Sequence, residues 1–517
     1  MARPQWTEQQ VFDQMFSGLL WPDSTVTYSF PVISSQLHFD QGEGAGFSPL
    51  NGQQQELIRL ALATWGDLIP VSFVPGIAGN TDLEFGNSNT VVEFAHAYYP
   101  TIGSVWFSSE FQNLQNPALG EYGFHTFVHE IGHALGLNHM GDYNGDDDDG
   151  PSSYQDSTML SVMSYYGPNM QRGMDDVAWA SWVASDGHVY SPQTPMMNDI
   201  MVIQEMYGEA VTRADNSIYG FGSNVTGATA SIYDFSVNLN PILTIYDSGG
   251  IDTLDLSGWG SDSAVDLRDG HFTSANGMTN NIAIARDVMI ENAITGAGHD
   301  TFHGNAADNF LDGGAGYDRA FFTGVFSDYL LDFDLGTGVY TVQDQTGVDG
   351  TDTLVDIEYA GFQNHGDDLN NLTSGVHRFF NTQNGNHFFT SNNDEAIVVA
   401  QMEIFQYEGQ AFARNVMDES NSIGIHRFFN DINGSHFYTA NAVEAETVRE
   451  MGGAFRYEGV AYQAFREKTE GTTELYRFFN KESGAHFYTS NTDEMEHVKL
   501  ELAGSYQFEG VAYYVAA

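Results

Sequence analysis

An excess of acid over base is the first constraint on what this chain can fold into: 69 Asp and Glu stand against 17 Lys and Arg, a formal charge of −52. Such a chain repels itself and resists compaction unless something offsets the repulsion. Two compatible readings follow: a surface of solvated carboxylates like that of a salt-adapted protein, and a set of bound cations that supply part of the missing positive charge. No basic patch of useful size is present, which argues against nucleic acid as a partner. Cysteine is absent, so disulfides, thiolate metal sites and a cysteine nucleophile are excluded as well. With 517 residues, 42% hydrophobic and 14% aromatic, the chain is neither disordered nor a single core, and two to four domains are expected. No stretch is long and apolar enough for a transmembrane helix.

The texture changes along the chain. Up to about residue 215 helical and strand patterns mix. QQQELIRLALATWGDLI (53–69) and FHTFVHEIGHALGL (124–137) have helical periodicity, whereas TVTYSF (25–30), DLEFG (82–86) and EFAHAYY (93–99) alternate as strands do. The acidic loop GDYNGDDDDGPSSYQDS (141–157) reads as solvated, with a calcium role the weaker reading. From 216 to 366 short β-like pieces rich in Gly, Asp and Asn take over. After 367 a unit recurs about every 50 residues: HRFFNTQNGNHFFT, HRFFNDINGSHFYT and YRFFNKESGAHFYT, each followed by an acidic helical stretch and QYEGQAF, RYEGVAY or QFEGVAY. The expected order is therefore a short N-terminal segment read as a propeptide (1–20), an α/β domain (21–215), an all-β segment (216–366) and a β-rich three-repeat domain (367–517) whose units read strand–turn–strand–helix–strand.

The sharpest motif is H-E-x-x-H-x-x-G-x-x-H, present as HEIGHALGLNH (129–139). His129 and His133, four apart on a helix, project from one face and can share one ion. Glu130 between them is placed to polarise a metal-bound water. Gly136 permits a sharp turn out of the helix that other residues resist, and that turn brings His139 round as the third nitrogen ligand. Three neutral ligands leave an open position at which zinc lowers the pKa of water toward neutrality. A bare H-E-x-x-H arises by chance in long chains; the extended pattern is poorly explained that way.

Together with SVMSYY (161–166), the motif resembles the serralysins, secreted bacterial metzincins of peptidase family M10. The resemblance implies a metzincin fold, one catalytic zinc, and endopeptidase activity on protein or peptide substrates. It makes Met163 the structural methionine beneath the ligands. Tyr165 becomes an additional zinc ligand in the resting enzyme, which swings away and donates to the developing oxyanion. It makes AHAYY (95–99) the cleft-edge strand against which a peptide pairs. Met140 departs from the pattern, because the family usually has Pro after the third histidine.

RTX-type repeats, G-G-x-G-x-D-x-U-x with U apolar, fall in register at 295–303, 304–312 and 313–321, with Asp300, Asn309 and Asp318 in the sixth positions. Turn carbonyls and these side-chain oxygens suit calcium, a hard cation; Gly296, Gly298, Gly313, Gly314 and Gly316 carry the turns. Upstream, TRADNSIYGF, YDSGGIDTLDLSG and MIENA resemble further serralysin calcium segments. That resemblance implies Arg213 and Asp215 as carbonyl ligands, Ser217, Asp247, Gly249, Gly250 and Asp252, and the Glu291 carboxylate. A short parallel β-roll that holds several structural calcium ions, followed by a β-sandwich-like segment, is expected within 216–366. It also implies signal-independent type I export and an extracellular, monomeric protein that folds where calcium is plentiful. In the C-terminal repeats Arg378, Arg427 and Arg477 with Glu408, Glu458 and Glu509 read as pairs that brace an aromatic core. His387, His436 and His486 mark a weaker reading, three equivalent pockets for a polysaccharide or cell-surface ligand. The competing whole-chain reading is a calcium-dependent adhesin that keeps the protease fold as a scaffold; intact Glu130 and His139 speak against it.

Overall fold

A computed structural model describes residues 3–143, 150–168, 177–415 and 419–516. The chain divides into two compact units, Met1–Phe321 and Phe322–Ala517.

The first unit begins with a mixed sheet in the order Ser72–Pro75, Thr25–Ser29, Leu83–Ser88, Ser104–Ser108, Ala95–Ala97. The first four strands run parallel, and Ala95–Ala97 closes the edge antiparallel to Ser104–Ser108. Leu83–Ser88 and Ser104–Ser108 are buried along their whole length, as central strands covered on both faces must be. Helix Gly52–Gly66 starts on a capping box between Asn51 and Gln54 and buries Ile58, Ala61, Leu62 and Trp65. It stops short of residue 69 because Pro70 disfavours helical backbone at Ile69. Its Trp65 Nε1 donates to the Val128 carbonyl and so ties it to helix Tyr122–Ala134, whose residues from Gly123 onward are all buried. That second helix ends before residue 137 because Gly136 adopts φ +108°, where a Cβ would collide with the Leu19 carbonyl.

Two further pieces frame this helix. The turn Ser161–Ser164 lies buried beneath it. Asp199, in the first turn of helix Met197–Tyr207, fixes that turn by accepting from Ser161 Oγ (2.6 Å), the Val162 amide (2.7 Å) and the Met196 amide (2.8 Å). The N-terminal helix Glu8–Met15 and the chain after it pack on the other side. The Met15 carbonyl accepts from the Asn138 amide, and the Ser17 amide donates to the Gly136 carbonyl.

The later part of this unit is a stack of short, mostly parallel strands. Asn292 pairs with Phe310, Ala297 with Ala315 and Thr301 with Arg319. The Asp300 amide donates to Asp318 Oδ1 one coil on, 18 residues away, so two nine-residue repeats make one coil. Apolar positions of the repeats, Phe302, Leu311 and Ala320, fill the interior. Gly316 sits so close over the Gly298 carbonyl that a Cβ there would collide with it.

The second unit opens with the antiparallel strands Tyr329–Asp334, Val339–Asp344 and Thr351–Val355. Three repeats follow. In the first, Gly375–Asn381 is the middle strand between His387–Thr390 and Phe405–Ala413, with helix Asn393–Ala400 on top. The second and third repeat this arrangement around Ser422–Asn430 and Thr472–Asn480. Val376, Phe389, Ile425, Tyr438, Leu475 and Tyr488 share one central core. The ring closes on itself: Phe388 packs on His436, Phe437 on His486, and Phe487 on His387.

Replacing Asp199 by Ala strands three buried donors, so denaturant unfolding is expected to register a loss of about 3 kcal/mol or more. In the repeats, burial and then the nearby Arg477 push the His486 imidazole down to about 4, against the smaller pull of Glu444; Glu509 and the rings of Phe437, Phe479 and Tyr488 complete its surroundings. The folded pKa lies below the unfolded one, so this contribution is complete above about pH 6.5 and is lost as pH falls toward about 4. The melting temperature of the C-terminal unit should decline over that window, and less steeply in His486→Gln.

Candidate metal centre

The geometry of the three histidines starts from their outward-facing nitrogens. His129 Nδ1 bonds the Val162 carbonyl (2.7 Å), His133 Nδ1 the Leu137 carbonyl (2.7 Å) and His139 Nδ1 the Tyr143 carbonyl (3.0 Å). A carbonyl only accepts, so each Nδ1 carries the proton and each Nε2 presents a lone pair. The Nε2 atoms of His133 and His139 lie 3.0 Å apart, and ligand atoms of all three histidines lie within 4.8 Å of one another. Among the described residues no other group of three His, Asp or Glu side chains converges in this way. Burial holds His133 down to about 3 and His129 well below its usual range, with their imidazole neighbours adding to the effect. Bare, neutral, converging nitrogens fit a zinc ion.

Glu130 is 5% exposed, and its Oε2 is buried without a hydrogen-bond partner. Burial alone pushes its carboxyl up to about 8, which a nearby dication would oppose. A cavity of about 480 Å³ opens over these groups and extends past Ala95–Tyr99, Asn138 and Tyr165. A larger one of about 710 Å³ lies elsewhere, beside helix Met197–Tyr207, and holds none of these histidines. Tyr165 is 45% exposed, with its ring 4.4 Å from that of His139. Met163 is fully buried, and its carbonyl accepts from the Met140 amide at 3.1 Å. Proline at 140 has no N–H to make this bond, so the departure from the family pattern adds a tie between the ligand turn and the methionine turn.

Supporting residues that sequence reasoning passed over come from several segments. Asp156, at the end of the acidic loop, is buried rather than solvated. It accepts from Tyr143 Oη and Ser164 Oγ, both at 2.7 Å, and Tyr143 Oη in turn accepts from the Tyr165 amide. Residues 144–149 of that loop lie outside the described residues. Glu43 holds the edge strand by accepting from Tyr98 Oη (2.7 Å) and pairing with His96 Nε2 (3.1 Å). Gln14 Nε2 donates to the His139 carbonyl (3.3 Å), Asn138 Nδ2 to the Gln14 carbonyl (3.2 Å), and Trp21 Nε1 to the Ala134 carbonyl (2.9 Å). Residues 1–20, expected as a propeptide, thus include a strut on the third-ligand turn. Only spatial proximity reveals these roles; a lone Asp or Gln in sequence carries no such signal.

The sequence-derived calcium positions fall into two groups. In the first, the Ser217 amide donates to Asp252 Oδ1 (2.7 Å), the Asp252 amide to Glu291 Oε2 (2.7 Å), and Ser217 Oγ to the Asp215 carbonyl (3.1 Å). Gly250 lies against Asp215 and Asp252. Asp247 caps the Gly249 amide and accepts from Tyr219 Oη. The Arg213 side chain is committed to Asp67 and the Tyr246 carbonyl, which leaves only its carbonyl for an ion. Asp252 Oδ2 is buried without a partner, and burial, with Asp247 and Glu291 adding to it, pushes this carboxyl up to about 7. In the second group Gly296, Gly298, Asp300, Gly313, Gly314, Gly316 and Asp318 stack in successive coils. Asp300 is fully buried, with Oδ2 unpartnered. Asn309 instead uses its carboxamide on Asn305, accepting at 2.9 Å and donating at 2.8 Å. Orphaned buried carboxylate oxygens beside turn carbonyls fit calcium.

The family described as "Peptidase M10 serralysin C terminal" matches residues 208–359, and the domain of unknown function DUF5648 matches residues 375–516. Serralysin C of Dickeya chrysanthemi is 36% identical over 292 residues, covering 53% of this chain and 57% of that protein. Metalloprotease AprA of Pseudomonas entomophila (strain L48) is 33% identical over 334 residues, 60% of this chain and 66% of that protein. The chain therefore spans less than two thirds of the length of these two relatives. Serralysin G of Dickeya chrysanthemi is 33% identical over 338 residues, 60% of this chain and 67% of that protein. With the histidine triad, the buried methionine turn and these similarities together, the chain belongs to the serralysin family of M10 metalloproteases.

Proposed function

We propose that this protein is a secreted zinc-dependent endopeptidase, with its catalytic residues in 21–215, its calcium sites in 216–366 together with the carbonyls of Arg213 and Asp215 just before it, and an appended module in 367–517. One observation carries the reading: three imidazoles with their Nδ1 protons all committed outward converge beside a buried carboxylate, Glu130, that has a free oxygen. His129, His133 and His139 would hold a zinc ion, which would supply acidified water and polarisation of a carbonyl. Glu130 takes the proton of the attacking water and returns it to the leaving amine. The phenol of Tyr165 donates to the oxyanion as it develops. An extended substrate pairs with the free edge of Ala95–Ala97, which Glu43 holds in place through Tyr98 and His96.

Calcium holds the shape, through the groups around Asp252 and Asp300. Neutralising some of the chain's carboxylates lets a strongly acidic polypeptide compact. Type I export and folding outside the cell accord with that dependence. An adhesin on a protease scaffold has no need of Glu130 with an open oxygen, and the proposal sets that alternative aside.

Glu130→Gln is expected to reduce casein cleavage by about 10²–10⁴-fold while zinc content stays at one ion per chain; undiminished cleavage would falsify the mechanism. Tyr165→Phe should lower kcat by about 10²-fold or more with KM little changed. Removing calcium with a selective chelator should lower the melting temperature and loosen the β-structure seen by circular dichroism. Asp300→Ala should bind fewer calcium ions and show a smaller response.

A further inference from the structure

The three C-terminal repeats meet at three joints, and departures from the repeat pattern converge on one of them. Between repeats one and two, the Phe389 amide donates to Tyr438 Oη (2.9 Å), and that hydroxyl donates to the Phe389 carbonyl (3.0 Å). Between repeats two and three, Tyr438 and Tyr488 make the same pair of bonds at 3.0 and 2.8 Å. Between repeats three and one the matching residue is Phe389, which has no hydroxyl to offer Tyr488.

The ion pairs follow the same pattern. Arg427 grips Glu395 with both terminal nitrogens (2.8 and 2.7 Å), and Arg477 grips Glu444 likewise (2.9 and 3.1 Å). Arg378 reaches Glu494 through one nitrogen at 3.4 Å. Two more substitutions fall here. Gln410 stands where the other repeats have Val460 and Val511, and Phe412 where they have Tyr462 and Tyr513. Those two tyrosines bond each other at 2.6 Å; Phe412 cannot join them.

We propose that the joint between the third and first repeats is a binding pocket for a neutral sugar unit of a polysaccharide, while the other two joints are structural. The pocket holds about 270 Å³ and is lined by Arg378, Glu408, Gln410 and Glu494 over a floor of Phe389, Phe412 and Tyr488. That volume accommodates one pyranose ring. Planar carboxylate, carboxamide and guanidinium groups facing one cavity suit adjacent hydroxyls, each of which both donates and accepts. Two carboxylates against one guanidinium leave the site short of positive charge, which disfavours an acidic sugar. His387 is not among the lining groups; it pairs with Glu408 at 3.1 Å and packs on Phe487. The proposal thus departs from the weaker reading of the sequence, three pockets at His387, His436 and His486, in favour of one pocket built on arginine and glutamine.

The test uses the full chain and isothermal titration with maltotriose, cellotriose, N,N′,N″-triacetylchitotriose and a glucuronate oligomer. At least one neutral trisaccharide should bind, with one site per chain. Phe389→Tyr supplies the missing hydroxyl and Gln410→Val restores the apolar residue of the other joints. Each should weaken binding at least tenfold, with melting temperature held or raised and casein cleavage unchanged. No binding by any neutral trisaccharide, three sites per chain, stronger binding of the glucuronate oligomer, or full binding by the double variant would each overturn the proposal. None of these results bears on Glu130, so failure here is separable from failure of the peptidase reading.

Discussion

Three imidazole-to-carbonyl hydrogen bonds govern the centre of this protein. Each histidine is oriented by a carbonyl from a different stretch: Leu137 in the turn after the helix, Tyr143 after the third ligand, and Val162 in the methionine turn. Those stretches must be in place before three lone pairs can point at one locus. Much of the first unit serves that requirement. Asp199 fixes Val162, Asp156 fixes Tyr143, and the chain from Gln14 to Trp21 braces the turn from Ala134 to His139. The outer hydrogen bonds of the site are made by buried backbone, which moves less freely than a side chain at a surface.

The acidic composition finds two different outlets. Some carboxylates are consumed internally: Asp199, Asp156 and Glu43 accept several donors each and act as fixed acceptors. Others, Asp252 and Asp300, are buried with an oxygen left over. Burying a carboxylate without a partner is costly, and the proposed calcium ions would offset that cost. A charge of −52 is thus a distribution with distinct local roles, and only part of it is a solvated surface.

What was legible in the sequence is what repeats or has fixed spacing. The helix bearing His129 and His133 and the nine-residue rhythm of Asp300 and Asp318 belong to this class, because one short pattern dictates each local geometry. Helix ends were misjudged by three residues at 53–69 and at 124–137, where Pro70 and the backbone of Gly136 override apolar periodicity. Asp156 was read as solvent-exposed, since an acidic run gives no hint that its last member turns inward. Gln14, Glu43 and Asp199 were not legible at all: apart from Met196 beside Asp199, their named partners lie tens of residues or more away in the chain, and only the folded path brings them together. At the C-terminal repeats the similarity among the units drew attention to the shared histidines, whereas the differences, Phe389, Phe412 and Gln410, mark the pocket.

The two repetitive parts of the chain respond differently to a change in length. A stack of coils grows along one axis, so gaining or losing a whole coil leaves its neighbours in register and alters only how far it extends. A ring whose last member, through Phe487, packs against its first, through His387, must count to three. Two members cannot span the circumference and a fourth has no seat, so drift in the copy number of this module is barred by closure itself. Diversity can enter only by altering one seam while the others keep the circle shut.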